Sequence, residues 1–176
     1  AEDLFSFESE LPKNSYVIAI QAPHDLQFGS YAWYAINFDA AQNKFSDTVQ
    51  AIESRDMIVD FLGEICEKYP INKDQITLIG FSQGAILSYS IGLSYPEKIS
   101  KVVALSGYLM SEIIHEDYLK NNLTQVKFFA SHGKVDQVIP IDWARKTQPF
   151  LEKLGIDVTY KEYPVGHGIA PQNFYD

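Results

Sequence analysis

The stretch Ile76-Thr77-Leu78-Ile79-Gly80-Phe81-Ser82-Gln83-Gly84-Ala85 constrains this chain more than any other. An apolar, β-branched run ends in Gly80, a serine stands two places on, and Gly84 opens an apolar stretch of helical character. A strand that passes at once into a helix must reverse sharply, and the G-x-S-x-G spacing suits that turn because it leaves no room for a Cβ two positions either side of the serine. Such a turn lifts the Ser82 hydroxyl clear of a sheet edge. A free serine is a poor nucleophile at neutral pH, so it needs a base to take its proton and a third group to orient the base. The rest of the chain must therefore supply a sheet, a histidine and an acid.

The sheet is legible as an alternation. The first residues carry Leu4, Phe5, Phe7 and Leu11 on an apolar side, which predicts a helix stopped by Pro12. Ser15 to Ile20 is a short continuous apolar run of the kind expected for a strand buried on both faces. Gln21 to about Ser46 reads as one long loop holding Pro23, Phe28, Gly29, Tyr31, Trp33, Tyr34 and Phe38, and it either packs itself down with those aromatics or walls a pocket. Asp47 to Tyr69 has Val49, Ile52, Ile58, Phe61, Leu62 and Ile65 at near-helical spacing, with Asp47, Glu53, Asp56 and Glu64 outside, and Pro70 ends it. After the elbow strand, Gln83 to about Leu93 is predicted helical, with Gly84, Ala85, Ser88 and Gly92 small enough to lie close on a sheet. Lys101–Leu105, Val126–Ala130 and Asp157–Tyr163 are predicted strands, with a polar segment at Ser111–Asn121. A helix from Asp142 to Leu154 should be kinked by Pro149 and stopped by Gly155. This order implies an α/β fold, a mostly parallel sheet with helices on both faces.

In such sheets functional groups gather at the carboxyl ends of strands. Two residues meet that test. Asp136 comes after the strand ending at Ala130, and His167, between Gly166 and Gly168, comes after the last strand. An aspartate in a turn is usually a turn former and a histidine between glycines usually just a loop residue. Here each comes after its expected strand, and the order Ser82, Asp136, His167 is that of α/β-hydrolases rather than of the chymotrypsin or subtilisin types. His132 shares the acid's loop and suits turn packing or a supporting hydrogen bond. His24 lies early in the chain, beside Pro23, His115 lies among Glu112, Glu116 and Asp117 as suits solvated surface, and no His or Cys spacing matches a metal site.

At 176 residues and 46% hydrophobic, the chain suits one domain over 1–176 with a substantial core. A net charge of −9 with no basic run argues against nucleic acid and anionic membrane surfaces. No span of about 18 apolar residues predicts a membrane crossing. Cys66 is the only cysteine, cannot form an internal disulfide, and is expected in the core. The chain opens at Ala1 without a methionine, as after removal of a signal peptide or at a boundary inside a longer chain. The cytoplasm is the expected compartment, with secretion left open.

Gly80-Phe81-Ser82-Gln83-Gly84, Ala104-Leu105-Ser106-Gly107, His132-Gly133 with Asp136 and Val138-Ile139-Pro140, and Gly166-His167 closely resemble the phospholipase/carboxylesterase family, which includes the acyl-protein thioesterases. The resemblance runs nearly the whole chain. It implies the α/β-hydrolase fold, a triad of Ser82, Asp136 and His167, an oxyanion-hole N–H from Gln83, and substrate contacts from Trp33 and from an apolar residue near Leu109. It implies hydrolysis of carboxylic esters or acyl thioesters, no metal or organic cofactor, and a homodimer. Family members begin with strands ending in a His-Gly-x-Gly type turn that supplies a second oxyanion N–H. Against that pattern, Ala1-Glu2-Asp3-Leu4 resembles the segment just after the turn, so N-terminal strands and part of a C-terminal helix are expected to lie outside this chain. With no lid-sized insertion and with apolar Leu109 and Met110, short to medium acyl esters are the expected substrates. Dienelactone hydrolases share the fold but carry cysteine at the elbow, where this chain has Ser82. The enzymatic alternatives are an acyl-protein thioesterase or a lysophospholipase, and the non-enzymatic one is a catalytically silent binding module with the same fold.

Overall fold

A computed structural model describes residues 2–38 and 44–176. By backbone contacts the chain divides into two compact units, 1–54 and 55–176.

In the first unit, the helix expected at the start is broken into α1 (Glu2–Phe5) and a 3-10 turn at Glu8–Glu10, neither long enough to be stable on its own. The predicted strand at 15–20 is absent: the segment is irregular, with Tyr16 and Ile18 exposed. A strand needs a neighbour for its N–H and C=O groups, and no described strand pairs with these residues. Apolar content alone did not reveal that. The aromatic segment expected to be one loop instead holds two antiparallel ribbons, β1 (His24–Asp25) with β2 (Tyr31–Ala32), and β3 (Ile36–Phe38) with β4 (Lys44–Ser46). Residues 39–43 of that prediction lie outside the described residues. The β1–β2 turn carries three successive positive φ values at Gln27, Phe28 and Gly29, and the Asp25 carboxylate accepts the Gln27 N–H at 2.7 Å. Tyr34 is buried and Phe28 fully exposed, so this segment's aromatics only partly serve packing.

Helix α2 (Thr48–Lys68) runs across the division, within a residue of its predicted span. Asp47 caps it by accepting the Gln50 N–H at 3.0 Å. Ile58, Val59, Leu62 and Ile65 form its buried face; Val49 is exposed and Cys66 half-buried rather than in the core.

The second unit is built on β5 (Thr77–Phe81), α3 (Gln83–Ser94), β6 (Lys101–Leu105), β7 (Lys127–Gly133), α4 (Ile141–Arg145), α5 (Thr147–Lys153) and β8 (Val158–Tyr163). The four strands form a parallel sheet in the order β5-β6-β7-β8. Ala85 to Ser94 are all buried, as suits a helix apolar on every side. A Cβ at Gly92 would lie 2.8 Å from the Phe128 ring and 2.9 Å from Val102, so only glycine lets α3 approach the sheet this closely. The polar 111–121 segment is a series of 3-10 turns. The helix expected at 142–154 is two helices broken at Lys146. Proline has no N–H and its ring blocks the carbonyl four residues back, so the break falls upstream and Pro149 sits in the first turn of α5, where it is tolerated. Gly155 does stop α5: at φ 71° its N–H donates to Glu152 O and the Ile156 N–H to Leu151 O, the Schellman pattern. Among the described residues no helix is long and apolar enough to cross a membrane.

Candidate active site

The parallel register puts the carboxyl ends of β5 to β8 side by side, and Ser82, Ser106, Asp136 and His167 all come after those ends. Ser82 is the residue between β5 and α3, at φ 54° and ψ −118°. A non-glycine residue there is strained by on the order of 1–3 kcal/mol and holds only where its surroundings fix it. They do: the Ser82 N–H donates to Leu105 O at 2.9 Å, and its carbonyl accepts the Ile86 N–H at 3.1 Å. A Cβ on Gly80 would overlap the Gly84 carbonyl, the steric reason this turn needs a glycine.

The three residues singled out by order and spacing meet. His167 Nε2 lies 3.0 Å from Ser82 Oγ, and its Nδ1 lies 2.8 Å from Asp136 Oδ2. The Asp136 side chain is fully buried. Its Oδ1 accepts the N–H groups of Val138 at 2.8 Å and Ile139 at 2.9 Å. Burial pushes the Asp136 carboxyl up, but the Ile139 N–H, His167 and the Val138 N–H together outweigh it and hold the group below the usual carboxylate range. A carboxylate is an acceptor only, so the His167 proton resides on Nδ1 and Nε2 faces Ser82 as an acceptor. The Phe81 ring, 4.9 Å from the imidazole centroid to centroid, limits its rotation.

Two supporting residues, Ser106 and Asn173, carry no role in the sequence analysis. Ser106 is fully buried at φ 52° and donates its hydroxyl to the Gly168 carbonyl at 3.0 Å, fixing the residue after His167. Asn173 donates to Ser131 Oγ at 2.7 Å and accepts the Ala170 N–H at 3.0 Å, holding the far side of the same loop to β7. Ser106 was within reach of the rule that sites gather at strand ends, since it directly succeeds β6. Asn173 carried no such signal. The loops bearing Asp136 and His167 pass backbone to backbone, with the Lys134 N–H donating to Tyr163 O at 2.7 Å and the Val135 N–H to Val165 O at 3.2 Å. A Cβ on Gly133 would overlap the carbonyl oxygens of Gly166 and Val165, whereas one on Gly168 would meet nothing. Gly133→Ala should therefore cost on the order of 1–3 kcal/mol in a urea unfolding experiment while Gly168→Ala is near neutral. Equal midpoints for the two would contradict the close approach.

Gln83 is the first residue of α3, so its backbone N–H lies at the positive end of that helix. Leu109 is half-buried, and its N–H donates to the buried Thr147 hydroxyl at 3.1 Å. Tyr108 and Trp143 meet edge to face with centroids 5.0 Å apart. Trp33 belongs to the first unit, where its carbonyl accepts the Ser54 hydroxyl at 2.5 Å. Among the described residues no group of three or more His, Cys, Asp or Glu side chains is arranged to hold a metal ion.

The sequence profile described as Phospholipase/Carboxylesterase matches residues 2–176. An acyl-protein thioesterase 1 from Aspergillus fumigatus is 32% identical over 137 residues, covering 76% of this chain and 56% of that protein. The chain thus spans little more than half the length of this curated relative. Two carboxylesterase crystal structures superpose on nearly all of it. That of Bacillus cereus covers 98% of this chain and 77% of its own, with TM-score 0.83 and 18% identity. That of Mesorhizobium loti covers 99% and 78%, with TM-score 0.82 and 17% identity. At these identities the likeness is one of fold, the α/β-hydrolase fold.

Proposed function

The chain belongs to the phospholipase/carboxylesterase family, and from that premise we propose that it is a serine hydrolase of carboxylic esters working through an acyl-enzyme. The observation that carries the reading is the unbroken contact chain Ser82 Oγ, His167 Nε2, His167 Nδ1, Asp136 Oδ2, at 3.0 and 2.8 Å. Ser82 Oγ attacks the acyl carbonyl as its proton passes to His167 Nε2. The carbonyl π electrons move onto oxygen, and the Gln83 N–H at the start of α3 stabilises that oxyanion. When the tetrahedral intermediate collapses, the C–O or C–S bond breaks and His167 returns the proton to the leaving alcohol or thiol. Water, deprotonated by the same imidazole, then attacks the acyl-Ser82 ester and releases the acid. Asp136 stays ionised, stabilises the imidazolium and fixes its tautomer. The mechanism uses no metal or organic cofactor.

Leu109 and Trp33 are the proposed substrate contacts, and short to medium acyl esters the proposed substrates. A thioesterase acting on acylated proteins would use the same groups, and the name of the Aspergillus relative favours it as the second reading. By the family resemblance we further propose one domain, a homodimer and the cytoplasm, with secretion left open. Intact-mass labelling with a fluorophosphonate tests the chemistry: one adduct at Ser82, greatly slowed in His167→Ala, is expected. Absence of labelling would instead favour a silent binding module. A series of p-nitrophenyl esters should peak at short to medium chains. A rate still climbing at long chains would contradict a small acyl pocket.

A further inference from the structure

His132, the penultimate residue of β7, is fully buried, and the reaction as written does not use it. Its Nε2 lies 3.0 Å from the Ile139 carbonyl and 3.3 Å from Asp136 Oδ2. A carbonyl only accepts, so Nε2 carries the ring proton. Nδ1 is buried and meets no partner among the described residues, so a ring placed for hydrogen bonding uses only its Nε2 side. Ile139 is thereby held at both ends: its carbonyl receives the His132 N–H, and its own N–H donates to Asp136 Oδ1 at 2.9 Å. The oxygen beside His132 Nε2 is Asp136 Oδ2, the one that faces His167 Nδ1.

We infer that His132 is a positioning residue for the hydrolytic reaction: it clamps the Ile139 peptide and, through it, aims the Asp136 carboxylate at His167. The inference rests on the Ser82, His167, Asp136 reading above. A buried histidine that merely fills space would need no particular ring nitrogen as donor. Here the donor atom is specified, and so is the residue through which it acts.

Two substitutions separate these roles. Glutamine can place an amide N–H near the position of Nε2, whereas asparagine reaches only about as far as Nδ1; both remove the ring. His132→Asn should lower kcat by on the order of 10- to 100-fold, the range for loss of a hydrogen bond acting on a charged group, with KM within about twofold. His132→Gln should keep kcat within about threefold of wild type. Because the effect runs through Asp136, adding His132→Asn to an Asp136→Asn background should change kcat by less than about twofold. Equal losses in the two single variants, or a His132→Asn loss that persists in the Asp136→Asn background, would overturn the assignment. If His132→Asn does not fold, the Gln variant decides alone: kcat near wild type supports the clamp and a tenfold loss refutes it. Ser82→Ala is assayed alongside. Wild-type hydrolysis that survives in Ser82→Ala would instead bring down the triad reading, and the clamp with it.

Discussion

Ser82→Ala is expected to reduce ester hydrolysis to background, a loss on the order of 10⁴- to 10⁶-fold in kcat, with the protein folded as before. On the proposed mechanism the nucleophile and the base act as one unit, so removing Oγ would leave His167 with nothing to deprotonate, and the loss is large. Folding should be spared because the contacts that hold residue 82 are made by its backbone. Its N–H bonds Leu105 O and its carbonyl accepts the Ile86 N–H. The side chain's hydrogen bond is the one to His167 Nε2. Alanine keeps the strained φ of 54° and so leaves the turn's energy little changed. Ester hydrolysis and a urea unfolding curve on the same preparation check both halves. A folded variant that still turns over at the wild-type rate would sink the assignment of Ser82 as nucleophile.

The features foreseeable in the chain divide along physical lines. β6 (Lys101–Leu105) was predicted at its observed bounds, and α2 and α3 within a residue, because each has a periodic or continuous apolar pattern long enough to outweigh local preferences. That Ser82, Asp136 and His167 meet could be read from the chain because a parallel sheet turns chain order into position: the residues after each strand arrive at the same edge. Ser15–Ile20 failed because being a strand depends on a partner, which no residue within the segment encodes. The ribbons between residues 24 and 46 were missed because strands of two or three residues leave too short a pattern to detect. Pro149 was rightly read as disruptive but wrongly as a kink, since a proline can also be accommodated by starting a new helix just before it. Gly166 and Gly168 flank His167 in the sequence, but the steric demand falls on Gly133 in the facing loop. His132 marks the furthest limit. Its place beside Asp136 was visible, whereas its bond to Ile139, seven residues on, appears only once the acid's loop is folded.

Asp136→Asn is expected to cut kcat/KM by about 10⁴-fold, and the direction is set by which atoms face the amide. Two N–H donors, from Val138 and Ile139, point at Oδ1, so the amide oxygen must occupy that position. The amide nitrogen then takes the place of Oδ2, 2.8 Å from His167 Nδ1. A donor there can only meet an unprotonated Nδ1, which forces the imidazole proton onto Nε2. With Nε2 already protonated, His167 cannot accept the proton of Ser82. The geometry survives while the tautomer is wrong. Acid sensitivity should change in a matching way. The wild-type carboxyl titrates below its ordinary range, so it contributes stability that is present above the unfolded-chain value and is lost as pH falls through the native one. Asparagine does not titrate, so the stability of the variant should fall less on acidification from about pH 5 to about pH 2 than that of wild type. Hydrolysis rates with matched unfolding curves across that interval measure both effects. A variant within tenfold of wild-type kcat/KM would mean that Asp136 does not set the tautomer, and that the 2.8 Å contact is structural only.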